Sequence, residues 1–243
     1  MREQPQQQAP PVQRLRVRYA KRGRLRFTSH RDFSRAFERA VVRAAVPMAY
    51  SSGFSPHPRI SYAGASPTGA ASEAEYLEIG LSRVSEPATV LRALDQALPP
   101  GLDVLEVVES PGGSLADLLE ASVWRTRVPD LRVETATAAV ELFVSTPTVP
   151  VERMTKKGLR TFDCRGAVVS LAAAQDGVGC AILEMVLRHG TPTVRPDDVL
   201  AGLRSVCGLE AAAAPFHERL AQGPLDSASG TVGDPLALTR DTA

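Results

Sequence analysis

Apolar and polar positions alternate at Leu15, Val17 and Tyr19 against Arg14, Arg16 and Arg18. A period of two is that of a half-buried strand, so the arginines fall on its open face. Lys21-Arg22-Gly23 reads as a turn, after which Leu25 and Phe27 resume the apolar phase. The period then changes. Phe33, Ala36, Phe37, Ala40, Val41 and Ala44 recur at helical spacing, which predicts a helix over residues 30–45. Ser29 and Asp32 supply its N-cap and first-turn acid, and Pro47 stops it. Residues 51–59, Ser-Ser-Gly-Phe-Ser-Pro-His-Pro-Arg, read as a loop. Strands are predicted over 60–63 and 75–81, an amphipathic helix over 87–98 before Pro99-Pro100-Gly101, and a strand over 102–108. The order strand, helix, two strands, helix, strand is the split βαβ, or ferredoxin-like, pattern.

The second half follows the same order less clearly. Strands are predicted over 122–128, 149–155, 167–173, 179–187 and 216–220. A helix is predicted over 197–206, after Pro196 and before Gly208. Residues 131–144 fit a helix or a strand. The expected fold class is therefore α+β, a tandem of ferredoxin-like units over 14–110 and 111–224. Residues 1–13 (Gln- and Pro-rich) and 225–243 (Ser, Gly, Asp and Thr) read as disordered tails.

Composition adds limits. At 243 residues, 44% hydrophobic and 23% charged, the chain reads as an ordinary globular protein with room for a sizeable core. No apolar run reaches the roughly 18 residues of a membrane-spanning helix, and the first residues lack the apolar stretch of a secretory signal. Cys164, Cys180 and Cys207 lie 16 and 27 residues apart, which gives no disulfide framework and no local cluster-binding loop. A reducing, cytoplasmic location is expected.

Charge changes the picture most. Residues 14–43 hold eleven Lys and Arg against Asp32 and Glu38, so this stretch carries +9 and the rest of a chain of net charge +1 carries −8. Clustered cations release counterions when they meet phosphates, so the stretch is a candidate polyanion surface. Arg31, Arg35, Arg39 and Arg43 recur every four residues as one ridge of the helix. The other reading is a face balanced by acids elsewhere in the fold.

Two histidines invite chemistry. Pro56 and Pro58 fix the backbone around His57, and Glu73 and Glu75 follow in sequence, so an acid/base pair can be drawn. Two His and two Glu without characteristic spacing do not make a metal site, and no cofactor is expected. His30, at a helix start, fits a structural role better. Phe54 fits an apolar anchor for its loop better than a base-stacking platform. Lys156, Lys157 and Arg160 around Gly158 read as a basic hairpin turn.

The segments Arg26-Phe27-Thr28-Ser29-His30, Phe37-Glu38-Arg39-Ala40, residues 50–61 with Gly53-Phe54-Ser55-Pro56-His57-Pro58, and Ser72-Glu73-Ala74-Glu75-Tyr76 resemble the bacterial radical SAM-linked protein family, a domain of unknown function. The resemblance covers about residues 14–220 and is strongest over 25–81. It departs at Ser55, where the family usually has Asn, and at Glu78, where it usually has Asp. It implies a helper of a radical SAM enzyme in RNA modification.

These readings converge on a non-catalytic accessory domain that binds structured RNA, tRNA or rRNA, beside a radical SAM partner. The expected contacts are Arg16, Arg18, Arg24 and Arg26; His30, Arg31, Arg35, Arg39 and Arg43; Ser52, Gly53, Phe54, Ser55, His57 and Arg59; and Lys156, Lys157 and Arg160. The alternatives are an enzyme using His57 with Glu73 or Glu75, and a module that docks onto the partner protein.

Overall fold

A computed structural model describes residues 7–155, 158–177, 180–209 and 213–237. The chain divides into two units of mixed α and β structure, Met1–Leu118 with Pro235–Ala243, and Leu119–Asp234.

The first unit contains β1 (Gln13–Lys21), α1 (His30–Arg43), β2 (Ile60–Ala63), β3 (Ala71–Leu81), α2 (Pro87–Ala97) and β4 (Val104–Glu109). Its strands run in the order β4-β1-β3-β2, and each neighbouring pair is antiparallel. The two periodicities of the sequence meet in its core. Leu15, Val17 and Tyr19 of β1 and Leu77, Ile79 and Leu81 of β3 are buried with Phe33 and Phe37 of α1 and Val90 and Leu94 of α2. Tyr19 stacks on Phe33 with ring centroids 4.3 Å apart. Ser29 caps α1 as expected, its hydroxyl accepting the Asp32 N–H at 3.2 Å. Burying the α1 stripe decides which way the helix faces: with Phe33, Phe37, Ala40 and Val41 inside, the arginine ridge is outside.

One local expectation is corrected. Leu25 and Phe27 do not resume a strand; Gly23–Phe27 is a tight 3-10 turn closed by Leu25 N–H to Arg22 C=O (3.0 Å) and Thr28 N–H to Leu25 C=O (2.9 Å). The turn puts Phe27 outside, 58% exposed.

The second unit contains β5 (Ala121–Val128), α3 (Val133–Ser145), β6 (Pro150–Thr155), β7 (Gly158–Asp163), β8 (Val168–Gln175), β9 (Ala181–Arg188), α4 (Pro196–Cys207) and β10 (Phe216–Gly223). The order β10-β5-β9-β8 is again antiparallel at each step. The ambiguous segment is helical because Ala136, Ala139, Val140 and Phe143, at offsets of three, four and seven, are its buried face. An extra hairpin, β6–β7, stands between α3 and β8 and pairs Thr155 with Gly158. Helix α4 comes close at Gly202, where a Cβ would lie 2.8 Å from both Cys164 Sγ and Phe143 Cε2.

Each segment read as a tail carries structure where it adjoins the fold. Gln13 begins β1, and Val12 N–H donates to Leu81 C=O at 2.9 Å. Leu225–Asp226 (β11) pairs with Thr231–Val232 (β12), and Leu236 is fully buried. Among the described residues no helix is long and apolar enough to cross a membrane.

Candidate nucleic-acid interface

The strand arginines do not form the open basic face that their alternation predicts. Arg16 is only 1% exposed. Its guanidinium donates to the carbonyls of Gly112 (2.7 Å) and Gly113 (3.3 Å) and pairs with Glu78 at 3.5 Å. Glu78 also pairs with Arg14 at 3.2 Å and accepts the Ser110 hydroxyl at 2.7 Å. Arg18 donates to the Glu73 backbone carbonyl at 2.9 Å. Arg22 pairs with the Glu73 carboxylate and, at 2.8 Å, with Asp103, and these acids hold its pKa above the ordinary arginine value. The guanidiniums of Arg14, Arg16, Arg18 and Arg22 are thus engaged within their own unit, and Glu78, Glu73 and Asp103 offset part of their charge. Arg16 is withdrawn from any ligand, a correction to its expected role.

The helix behaves differently. Arg31, Arg35 and Arg39 are exposed, and among the described residues none of them makes an ion pair. Arg43 is exposed as well and donates to the Ala97 carbonyl near the end of α2. Arg35, Glu38, Arg39, Val42 and Arg43 line an open groove of about 560 Å³. Residues four apart on a helix are surface neighbours, with Cβ atoms roughly 5–6 Å apart, so the groups form a continuous cationic row. Glu38 is the one acid in the groove lining. Ahead of the row, Arg24 is exposed, and the Arg26 guanidinium sits 4.5 Å from the centre of the Phe27 ring. Phe27 is therefore an exposed aromatic at the foot of the basic helix. In the sequence, Leu25 and Phe27 share one apolar phase, which gives no sign of this exposure.

The loop after α1 is pinched at its base. Tyr50 bridges Pro58, Ser51 N–H donates to His57 C=O (2.8 Å), and His57 N–H donates to the Ser51 hydroxyl (3.0 Å). Phe54, at the tip, is 75% exposed and anchors nothing, contrary to the favoured reading. Ser52 and Ser55 are exposed too, Ser52 accepting the Gln8 N–H at 2.9 Å, while Gly53 is half-buried. His57 is exposed, and Arg59 donates through Nε to Tyr50 C=O at 3.1 Å. His30 is exposed at the first turn of α1, its ring edge-on to Tyr62 at 5.0 Å. Burial raises the Tyr62 phenol above its ordinary pKa, against the nearby Ser34 hydroxyl.

The drawn acid/base pair is not assembled. Glu73 is taken by Arg22, and buried Glu75 accepts the Ser66 N–H at 3.0 Å. His57 lies instead at the Gly80 end of β3, where Gly80 N–H donates to Arg59 C=O at 2.9 Å. Gly80 and Glu75 are five residues apart on an extended strand, about 16 Å. The acid near His57 is Glu78. Among the described residues, no group of three or more His, Cys, Asp and Glu is arranged to hold a metal ion.

In the second unit, Arg160 is exposed on β7 opposite Arg153, whereas Lys156 and Lys157 lie outside the described residues. Arg153 is occupied, pairing with Asp198 at 2.6 Å and lying 4.9 Å from the centre of the Phe162 ring. Burial still leaves the Asp198 carboxyl above its ordinary pKa, because desolvation outweighs the guanidinium. His189 donates through Nδ1 to Leu119 C=O (2.7 Å) and meets the Ser122 hydroxyl through Nε2 (3.0 Å), and burial lowers its pKa. His217 bridges Thr126 and Asp197, both at 2.9 Å, and that hydrogen bond holds the Asp197 carboxyl below its ordinary value. Cys164 is buried, and desolvation pushes its thiol up to about 12, the state of an inert cysteine.

No curated protein matches the chain. Residues 14–196, from β1 into the start of α4, match the family described as uncharacterized protein conserved in bacteria (DUF2344), and the chain belongs to that family.

Proposed function

We propose that this protein is a non-catalytic accessory of a radical SAM enzyme that holds structured RNA by its phosphates through the exposed face of α1. The observation that carries this reading is the row Arg31, Arg35 and Arg39: exposed, evenly spaced and free of ion pairs among the described residues. A row of unpaired guanidiniums is a poor arrangement for stability alone. Removing counterions from RNA gives it a use. Phe27 and Phe54 add aromatic faces on which an unpaired base can stack, each contributing about 1–3 kcal/mol in single-strand binders. The two units, with strand orders β4-β1-β3-β2 and β10-β5-β9-β8, are read as ferredoxin-like. The radical SAM partner and the cytoplasmic location rest on the sequence resemblance and the unpaired cysteines. Ultraviolet crosslinking of the purified chain to total small RNA, mapped by mass spectrometry, tests the reading. Crosslinked peptides are expected over residues 24–43 and 51–59; crosslinks confined to the second unit contradict it.

A protein-docking reading has one observation in its favour. Val42 is 71% exposed in the same groove as Arg35, Arg39 and Arg43, an apolar centre with a charged rim. On that reading, a complex with the radical SAM partner survives nuclease and is lost on charge reversal at Arg35 and Arg39.

A further inference from the structure

A second site lies on the opposite side of the first unit's sheet, away from the helices. The pairings Arg14 with Gly80, Arg16 with Glu78, and Ser61 with Glu78 put these residues on the face that the core does not use. There a cavity of about 210 Å³ is lined by Arg14, Ser51, His57, Arg59, Ser61 and Glu78, with Gly80 among its walls. Gly80 keeps it open: a Cβ at that position would lie 3.0 Å from Pro11 Cβ and 3.3 Å from Arg59 Cβ.

The donors around the cavity are held in place but not used up. Arg59 is fixed through Nε on Tyr50 C=O, and among the described residues its two terminal nitrogens have no partner. His57 is fixed through its backbone, bonded both ways to Ser51, and among the described residues its imidazole has no hydrogen-bond partner. Arg14 reaches Glu78 with one nitrogen, and among the described residues its others have no partner. The single carboxylate, Glu78, is already held by Arg16 and the Ser110 hydroxyl. The balance of the lining is cationic, with fork-shaped donors suited to phosphate oxygens. The volume lies below the roughly 300–1,000 Å³ of pockets for drug-sized ligands, so the occupant is small.

We propose that this cavity binds a phosphomonoester, the terminal phosphate of a nucleotide or of an RNA end. Arg59, Arg14 and His57 donate to its oxygens, and the Phe54 ring, in the same loop, offers a face to the base. The proposal rests on the RNA reading of α1 for its biological setting, but the site and the ridge are different residues. The ridge meets phosphodiesters along a backbone; the cavity takes a dianion at one point.

The test uses the purified full chain, titrated with 5′-AMP, 3′-AMP, inorganic phosphate and adenosine. Binding is read by calorimetry and by the His57 imidazole resonances. Both nucleotides are expected to move His57 and adenosine is not; tighter binding of one isomer names the end recognised, and phosphate alone moving His57 as far as either names a free anion. Arg59→Gln is expected to weaken 5′-AMP at least about tenfold, the scale of one charge-assisted contact. His57→Ala, in an exposed loop, and Gly80→Ala, which narrows the cavity, are expected to weaken it as well. Resonances unmoved by 5′-AMP, equal shifts with adenosine, or an unchanged affinity in both Arg59→Gln and His57→Ala overturn the proposal. Arg35→Glu/Arg39→Glu separates the two claims. Loss of RNA affinity with 5′-AMP still moving His57 supports both; unchanged RNA affinity with 5′-AMP still binding sinks the RNA reading and leaves the cavity a nucleotide site.

Discussion

The two units repeat one strand order and differ in what their helices carry. In each, a helix follows the first strand: α1 in the first unit, α3 in the second. Helix α1 carries four arginines on its outer side, while α3 has no Lys or Arg and carries Glu134 and Glu141. Several of the second unit's cations are engaged, Arg153 with Asp198, Arg125 with Glu184, Arg127 with Asp176, and Arg165 with the carbonyls of Val144 and Val168. The first unit engages its strand arginines in the same way, and among the described residues it leaves Arg31, Arg35 and Arg39 of its helix without an ion pair. A shared backbone plan therefore says little about function; what each helix exposes says more.

That contrast can be strained at several points. The largest effect is expected in the first unit's core. Phe37 is fully buried beneath the ridge, and Phe37→Ala should cost about 3–5 kcal/mol, read as lost amide-exchange protection in β1 and β3. If protection there is unchanged, the ridge does not depend on this core. The next concerns helix packing in the second unit. Gly202→Ala raises helix propensity but drives a methyl against Cys164 and Phe143, so a net loss of about 1–3 kcal/mol is expected in denaturant unfolding. A more stable variant would show that α4 has room to move.

A smaller effect is expected from pH. His189 has a lowered folded pKa, so the unfolded chain binds the proton more tightly than the folded one. The second unit should keep its full stability above the ordinary histidine value of 6.5 and lose part of it as pH falls through that value toward the folded one. Trp124, the chain's single tryptophan, donates to the same Ser122 hydroxyl that His189 meets and reports the change by fluorescence. His189→Asn should flatten the dependence. The last effect is chemical. Cys207 is exposed and Cys164 is buried with a raised pKa, so an alkylating reagent at pH 8 should label Cys207 and spare Cys164. Equal labelling would mean that the second unit opens readily.

What the sequence made legible follows from which interactions are local. The stripe Phe33, Phe37, Ala40 and Val41 and the Ser29 cap are local, and α1 with its outward ridge follows from them. The fate of Arg16 is not local. Alternation alone puts it on an open face, but the carbonyls of Gly112 and Gly113, nearly a hundred residues on, accept its guanidinium. Phe27 was hidden because a 3-10 turn and a strand can share the same two apolar positions. Phe54 was misjudged because an apolar residue in a proline-rich loop points to the core by composition. At the tip of the loop closed by Ser51 and His57 it stands outside. The cavity at Gly80 joins residues from the N-terminal approach, β1, the loop and β3, and no spacing rule connects these.

The central claim is that the α1 ridge binds RNA by its phosphates. Its most direct test is the affinity of the purified chain for total small RNA across a salt series, beside the variant Arg31→Glu/Arg35→Glu/Arg39→Glu/Arg43→Glu. Each phosphate contact contributes a log–log slope of about −0.7 to −0.9, so three or four contacts predict a total of about −2 to −4 for the wild type and loss of binding in the variant. No RNA affinity at low salt, or a variant that binds as tightly as the wild type, would contradict it.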